Sequence, residues 1–313
     1  MLTLVSQPRR FMLATVIASF VFSNPYLHSL TAASPVSSVS AGAQPAQASK
    51  TGSLPFQQFD VPNSKSTEAD SVNTRGEIVG FFVDNSGNQH GFLRRNGVFT
   101  QLDFPGGSET RTVGINNFSE IVGAFKDGSG VQHGLIDRNG SFTQVDFPGA
   151  ASSQLLGIND DHDVVGSFTD ASGNTHGFVR KNGDFKQIDF PKGTNTTTFG
   201  INNQGEIVGS FNDASGTQRA FLKRGDDFVQ LNPPNSSSSV AFGVNAKSVI
   251  VGSFNDAAGN GHGFLHRGGK FDQIDFPGAK STDANGLNKE GVLVGDFFDN
   301  AGVEHAYVVQ TGE

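Results

Sequence analysis

The chain has 313 residues with 40 Gly, 29 Phe, no Trp and no Cys, a bias that excludes an ordinary mixed domain and points to one short unit copied many times. Without cysteine, neither a disulfide nor a lipobox anchor is available. With the two arginines of residues 1–33 set aside, 20 Lys+Arg stand against 30 Asp+Glu, and a net charge of about −10 disfavours nucleic acid or an anionic membrane as partner.

Residues 1–33 carry Arg9 and Arg10, then the apolar run "FMLATVIASFVF" over 11–22, then small residues around "TAAS". That is the layout of a secretory signal, and the run is too short to span a bilayer. Cleavage is expected after Ala33, with Ala43 and Ala48 as alternatives, and "RRF" allows a twin-arginine reading. Residues 34–53 are Ala, Ser, Gln and Pro with almost no bulky apolar side chain, so a flexible linker is expected there. Secretion, to the periplasm or the medium, follows as the expected localisation.

From residue 54 onward the chain repeats. A tripeptide ending in Asn recurs as "SVN" at 71, "GIN" at 114, 157 and 200, "GVN" at 243 and "GLN" at 286, always 43 residues apart. A period in this range with strand-like pieces indicates propeller blades or a solenoid. The copy at 193–234 reads as four strands, "TTTFGIN", "EIVGSFND", "TQRAFLKR" and "DFVQLN", joined by short Gly-containing linkers that make successive strands antiparallel neighbours. Only the step from a fourth strand to the next first strand, as at 105–110, is longer. Crossing three strand spacings takes roughly 14 Å, and five extended steps reach about 17 Å. Each blade therefore runs from the "GIN" strand inside to the "F-x-Q-x-D-F-P" strand outside.

This phasing leaves six inner strands, six outer strands and a mismatch at the ends. The last unit finishes on its third strand, "HAYVVQTGE", while an orphan outer strand stands at 56–62. The orphan is expected to complete the last blade and close a ring, which leaves no unfinished sheet edge. An open solenoid would need capping segments that the sequence does not offer. The expected fold is all-β, a six-bladed β-propeller of four-stranded antiparallel blades over 54–313.

With "HGF" at 90–92, 176–178 and 262–264, "HGL" at 133–135, "RAF" at 219–221 and "HAY" at 305–307, plus "GIN" and "IVG", the chain resembles the bacterial extracellular HAF repeat family over all six units. The resemblance implies an exported repeat protein and carries no activity with it.

Twenty of the 29 Phe fall in four columns, those of Phe82, Phe92, Phe99 and Phe104, as interblade core packing demands. Asp84, Asp127, Asp170, Asp213, Asp256 and Asp299 each precede a Gly by three residues and read as turn caps rather than calcium ligands. His90, His133, His176, His262 and His305, with Arg219 in the sixth place, stand one per blade and cannot converge on one ion. With the turn Asp, the Asp103 column and the hydroxyl column of Thr67, Thr110, Ser153, Thr196, Ser239 and Thr282, they read as a bracing network similar to that of WD-repeat propellers. His162, among acids in "NDDHD", reads as part of a solvated turn. Counting outward from the second hairpin sets Glu77 against Arg94, Asp163 against Arg180, Glu206 against Lys223 and Val292 against Val309, as cross-strand pairs on a solvated face.

Function should lie where blades differ at one geometrical position. The residue after the hydroxyl column is Glu68, Arg111, Gln154, Thr197, Val240 and Asp283, six different side chains. Ring closure makes Asp283 a neighbour of Glu68, with Asp70 two residues on and Arg111 beside them. A ligand site is expected here, at the central mouth, formed by Glu68, Asp70, Arg111, Gln154 and Asp283. Like charges so close call for Ca²⁺ at Glu68, Asp70 and Asp283, or for the cationic part of a ligand, unless Arg111 already balances them. With no nucleophile, phosphate-loop or metal motif in the chain, the expected function is that of an exported, monomeric, non-catalytic binding or surface-interaction protein. Its ligand would be a small molecule, a glycan or a protein. The alternative is a hydrolase acting on a sugar or related small molecule, with Asp283 and Glu68 as paired carboxylates.

Overall fold

The computed structural model describes residues 54–312; the signal segment expected at 1–33 and the linker at 34–53 lie outside the described residues. Among the described residues there are 24 strands and no helix, hence no helix long and apolar enough to cross a membrane.

The strands form six four-stranded antiparallel sheets. Blade 1 comprises β2 (Ser64–Val72), β3 (Ile78–Asp84), β4 (Gln89–Arg95) and β5 (Val98–Leu102). Blades 2 to 5 are β6–β9 (108–144), β10–β13 (152–188), β14–β17 (194–231) and β18–β21 (238–274). Blade 6 has the order β22 (Ser281–Leu287), β23 (Val292–Phe298), β24 (Glu304–Gln310) and finally β1 (Gln57–Phe59). The N-terminal strand is thus the outer strand of the last blade, pairing Gln57, Gln58 and Phe59 with Val308, Tyr307 and Ala306. Its Asp60 receives His305 at 3.0 Å, the contact that His90 makes with Asp103 at 2.9 Å inside blade 1.

The recurrent Phe residues hold blade to blade. Phe104, at the end of one outer strand, stacks at 3.6 Å on Phe125 of the next blade, and Phe147–Phe168, Phe190–Phe211 and Phe276–Phe297 repeat the contact at 3.6–3.8 Å. Flat stacking in the same place of successive interfaces is core packing. Each turn Asp caps its own loop: Asp84 Oδ1 accepts the Ser86 and Asn88 N–H groups at 2.8 Å, and these bonds pull its carboxyl down to about 2. The histidines bridge that Asp to the outer-strand Asp, with Gln101, Gln144, Gln187 and Gln273 as further members. The hydroxyl column does something else. Thr110 Oγ accepts the Phe104 N–H at 3.0 Å, fastening the crossover between blades rather than the histidine.

The expected cross-strand pairing needs correction. Glu77 meets Arg95 at 2.6 Å, not Arg94, and likewise Asp163 meets Lys181, Glu206 meets Arg224 and Val292 pairs with Gln310. The second hairpin carries a three-residue loop, Asn85, Ser86 and Gly87, with Gly87 at φ 91°. Such a loop shifts the register by one against the two-residue count. His162 sits in an exposed turn, as expected, and its Nδ1 also lies 2.5 Å from Glu120 of the preceding blade.

Candidate functional site

The innermost strands bring four rings of residues to the central axis. At their ends sit Asn73, Asn116, Asn159, Asn202, Asn245 and Asn288, the last letter of the repeated tripeptide. Each donates its Nδ2 to the backbone oxygen of the next Asn at 2.9–3.2 Å, and the circle closes from Asn288 to Asn73. One step in, the glycines let neighbouring strands touch: a Cβ on Gly157 would lie 2.5 Å from the Phe199 carbonyl oxygen. Only glycine fits so close an approach.

Next comes a β-bulge in every innermost strand, at Asp70, Val113, Leu156, Phe199, Phe242 and Asn285. A bulge re-aims its extra side chain. Val113 and Phe199 are partly exposed between buried neighbours, Phe242 is partly exposed beside Gly243, and the Phe199 and Phe242 rings meet edge to face at 5.3 Å. This ring is two-sided. Blades 1 and 6 offer Asp70 and Asn285, and blades 3 to 5 offer Leu156, Phe199 and Phe242.

The fourth ring is the variable column. Each member faces its partner on the second strand, Glu68 opposite Phe81, Gln154 opposite Ser167 and Asp283 opposite Asp296. The structure does gather the expected residues at the junction of blades 1, 2 and 6. Arg111, its guanidinium 4.5 Å over the Phe81 ring, donates to Glu68 Oε1 at 2.7 Å and to Asp70 Oδ1 at 2.8 Å. Gln154 is instead a link between blades, accepting from Gln132 at 3.0 Å and donating to Ser167 at 2.8 Å. Asp283, 8% exposed, receives the Tyr307 hydroxyl on its backbone oxygen at 2.9 Å.

Two acids of this seam escaped the sequence reading, Asp296 and Glu304, from the second and third strands of blade 6. Carboxylate oxygens of Glu68, Asp296 and Glu304 lie within 4.8 Å of one another. The repeat could have shown them: the equivalents of Asp296 are Phe81, Ala124 and three serines, and those of Glu304 are Gln, Thr or Gly. Burial is the main force pushing Glu68 and Asp296 well above the carboxylate range and Glu304 up to about 7. Arg111 opposes it at Glu68 and Glu304, while the neighbouring acids reinforce it. Among the described residues, ten buried side-chain polar atoms have no hydrogen-bond partner, and six of them lie at this level: Glu68 Oε2, Asp70 Oδ2, Arg111 Nε, Thr197 Oγ, Gln218 Oε1 and Ser253 Oγ.

A separate cleft of about 400 Å³ lies at the outer edge of blade 1, lined by Val61, Pro62, Phe82, Phe92, Phe99 and Gln101. Gln101 is the one polar side chain in that lining, and Val61 and Pro62 of the closing segment form part of its wall.

No protein-family model matches the chain, and no curated protein matches it. Solved propellers do. A mutant Aleuria aurantia lectin in complex with Fucα1-6GlcNAc is 10% identical with a TM-score of 0.50, over 82% of this chain and 95% of that one. The propeller domain of the Trilobed protease from Pyrococcus furiosus, described as having an open velcro topology, is 10% identical with a TM-score of 0.50, over 80% and 97%. TolB from Acinetobacter baumannii is 10% identical with a TM-score of 0.51, over 80% of this chain and 65% of that one. At such identities the likeness concerns the fold alone.

Proposed function

We propose that the protein is an exported, non-catalytic binding propeller of the HAF-repeat kind, and that it holds a saccharide at the mouth of its central channel. The observation that carries the reading is the two-sided bulge ring. A sugar ring has a C–H face, which stacks on aromatic walls, and an edge of hydroxyls, which donate to carboxylates and amides. Phe199 and Phe242 supply the first surface, and Asp70 and Asn285, across the ring, supply the second. Phe199 and Phe242 stand outside the four recurrent Phe columns, so blade packing does not account for them. That one neighbour in fold is a lectin seen with a fucosylated disaccharide makes fucosides a sensible first probe.

The hydrolase alternative has weaker support. An acid or base must reach the substrate, whereas Glu68 is 3% exposed and gives Oε1 to Arg111. A glycan array probed with the full chain, followed by calorimetry on any hit, tests the proposal. Binding of a defined saccharide that weakens in Phe242→Ala, with no product formed on long incubation, supports it. Product release, or no binding across the array, overturns it.

A further inference from the structure

We propose that Glu68, Asp296 and Glu304 form a divalent-cation site of the all-oxygen kind that suits Ca²⁺, buckling the first blade to the last. The three carboxylates come from three strands in two blades: β2 of blade 1 and β23 and β24 of blade 6. They are 3%, 2% and 7% exposed. Calcium holds its oxygens at about 2.3–2.6 Å, so ligands of one ion stand no more than about 5 Å apart. The observed 4.8 Å limit fits within that sphere.

A second, separate observation points the same way. Glu68 Oε2 is buried and has no hydrogen-bond partner among the described residues, although the other oxygen of the same carboxylate is satisfied by Arg111. Asp70 Oδ2 is in the same position behind Oδ1. A buried carboxylate that leaves one oxygen unbonded beside two other acids is costly as it stands and favourable around a cation. Arg111 does not remove the excess, because its one guanidinium acts on Glu68, Asp70 and Glu304, while Asp296 is set against Asp283, Glu304 and Asp70. The donor set holds no sulfur or imidazole, which argues against zinc. Of the three acids expected from sequence to hold the ion, Glu68 keeps that role. Asp70, bonded to Arg111 as Glu68 is, and Asp283, opposite Asp296, stand outside the group of three.

The acids occur together only where the ends of the ring meet, so a cation here would act across the closure. Tyr307 provides a local reporter, being paired across β23 and β24 with Gly295, the residue before Asp296. Chelator-treated full-length protein titrated with Tb³⁺ is expected to show tyrosine-sensitised luminescence that Ca²⁺ displaces, and calorimetry with CaCl₂ to show one site per chain and a rise in melting temperature. Glu304→Gln and Asp296→Asn, near-isosteric and relieving charge, should keep the fold by circular dichroism and lose both signals. Tyr307→Phe should lose the luminescence and keep the calcium heat. Absence of calcium heat and of any melting shift in the wild type overturns the proposal. So does an undiminished calcium signal in both acid variants, which would put the ion elsewhere. If a variant does not fold, displaceable luminescence in the wild type that vanishes in Tyr307→Phe supports the site, and luminescence that persists there overturns it.

Discussion

Asn245 and Asn288 make the same bonds, which turns them into a matched pair for testing the closed ring. Each Oδ1 accepts two N–H groups of its own turn at 2.9–3.0 Å, and each Nδ2 donates to the next blade's Asn carbonyl, at 3.1 and 2.9 Å. The acceptor of Asn245 is 43 residues along the chain, whereas that of Asn288 is 215 residues away across the seam. Replacing Asn by Asp keeps the acceptor oxygen and removes only the donor, leaving a carboxylate oxygen against a carbonyl in a buried place. The lost bond and the unsatisfied group together cost about 2–4 kcal/mol, which lowers the melting temperature of a domain this size by about 5–15 °C. In a closed ring Asn245→Asp and Asn288→Asp suffer alike, as thermal and urea melts of the two variants would show. In an open arc the Asn288 donor has no blade to meet. A clear loss in Asn245→Asp beside a near-neutral Asn288→Asp would refute closure.

Gly157→Ala places a Cβ against a neighbouring backbone carbonyl that cannot yield; a loss of about 1–3 kcal/mol in urea melts is expected, and a neutral result would mean that the inner strands lie farther apart. For His133 and His176, burial works against the charge, but the hydrogen bonds and charges of Asp146 and Asp127, and of Asp189 and Asp170, outweigh it and raise both above their ordinary value. Their contribution is therefore complete below the unfolded histidine range and disappears as pH climbs through the raised folded values. Wild-type melting temperature should fall between about pH 6 and pH 8, and the slope should flatten in a His133→Gln, His176→Gln variant; an equal slope in both proteins would assign the pH dependence to other groups. Phe199→Ala, at a half-exposed ring, should weaken saccharide binding about tenfold or more, as loss of a stacking contact of about 1.5 kcal/mol implies, with little change in melting; unchanged affinity by calorimetry would remove the aromatic wall from the site.

Blade number, phase and closure were legible because they follow from counting. An unbroken period of 43 and an orphan outer strand leave one arrangement in which every sheet is complete. The meeting of Glu68, Asp70 and Arg111 with Asp283 across the seam was legible for a related reason, since closing the ring sets the last blade beside the first. What escaped depended on details that counting does not carry. Whether a hairpin loop has two or three residues decides if Glu77 meets Arg94 or Arg95, and the two look alike in sequence. The bulges that turn Phe199 and Phe242 toward the axis are backbone events within a regular-looking strand. Asp296 and Glu304 were missed because the reading followed one strand per blade, while the seam is built from three. The Asn ring was in plain view as the repeat marker, but its purpose appears only when consecutive blades are placed side by side.

The proposed saccharide site lies where the repeat is broken, at the mouth, and not on the blade edges. Hydrogen–deuterium exchange, read by mass spectrometry with and without a bound saccharide from the array, locates the contact directly. Protection is predicted in peptides covering 66–73, 196–201, 239–244 and 282–287, the innermost strands of blades 1, 4, 5 and 6. Protection confined to the outer strands, or to the cleft lined by Val61, Phe82, Phe99 and Gln101, with the innermost strands unchanged, would contradict it.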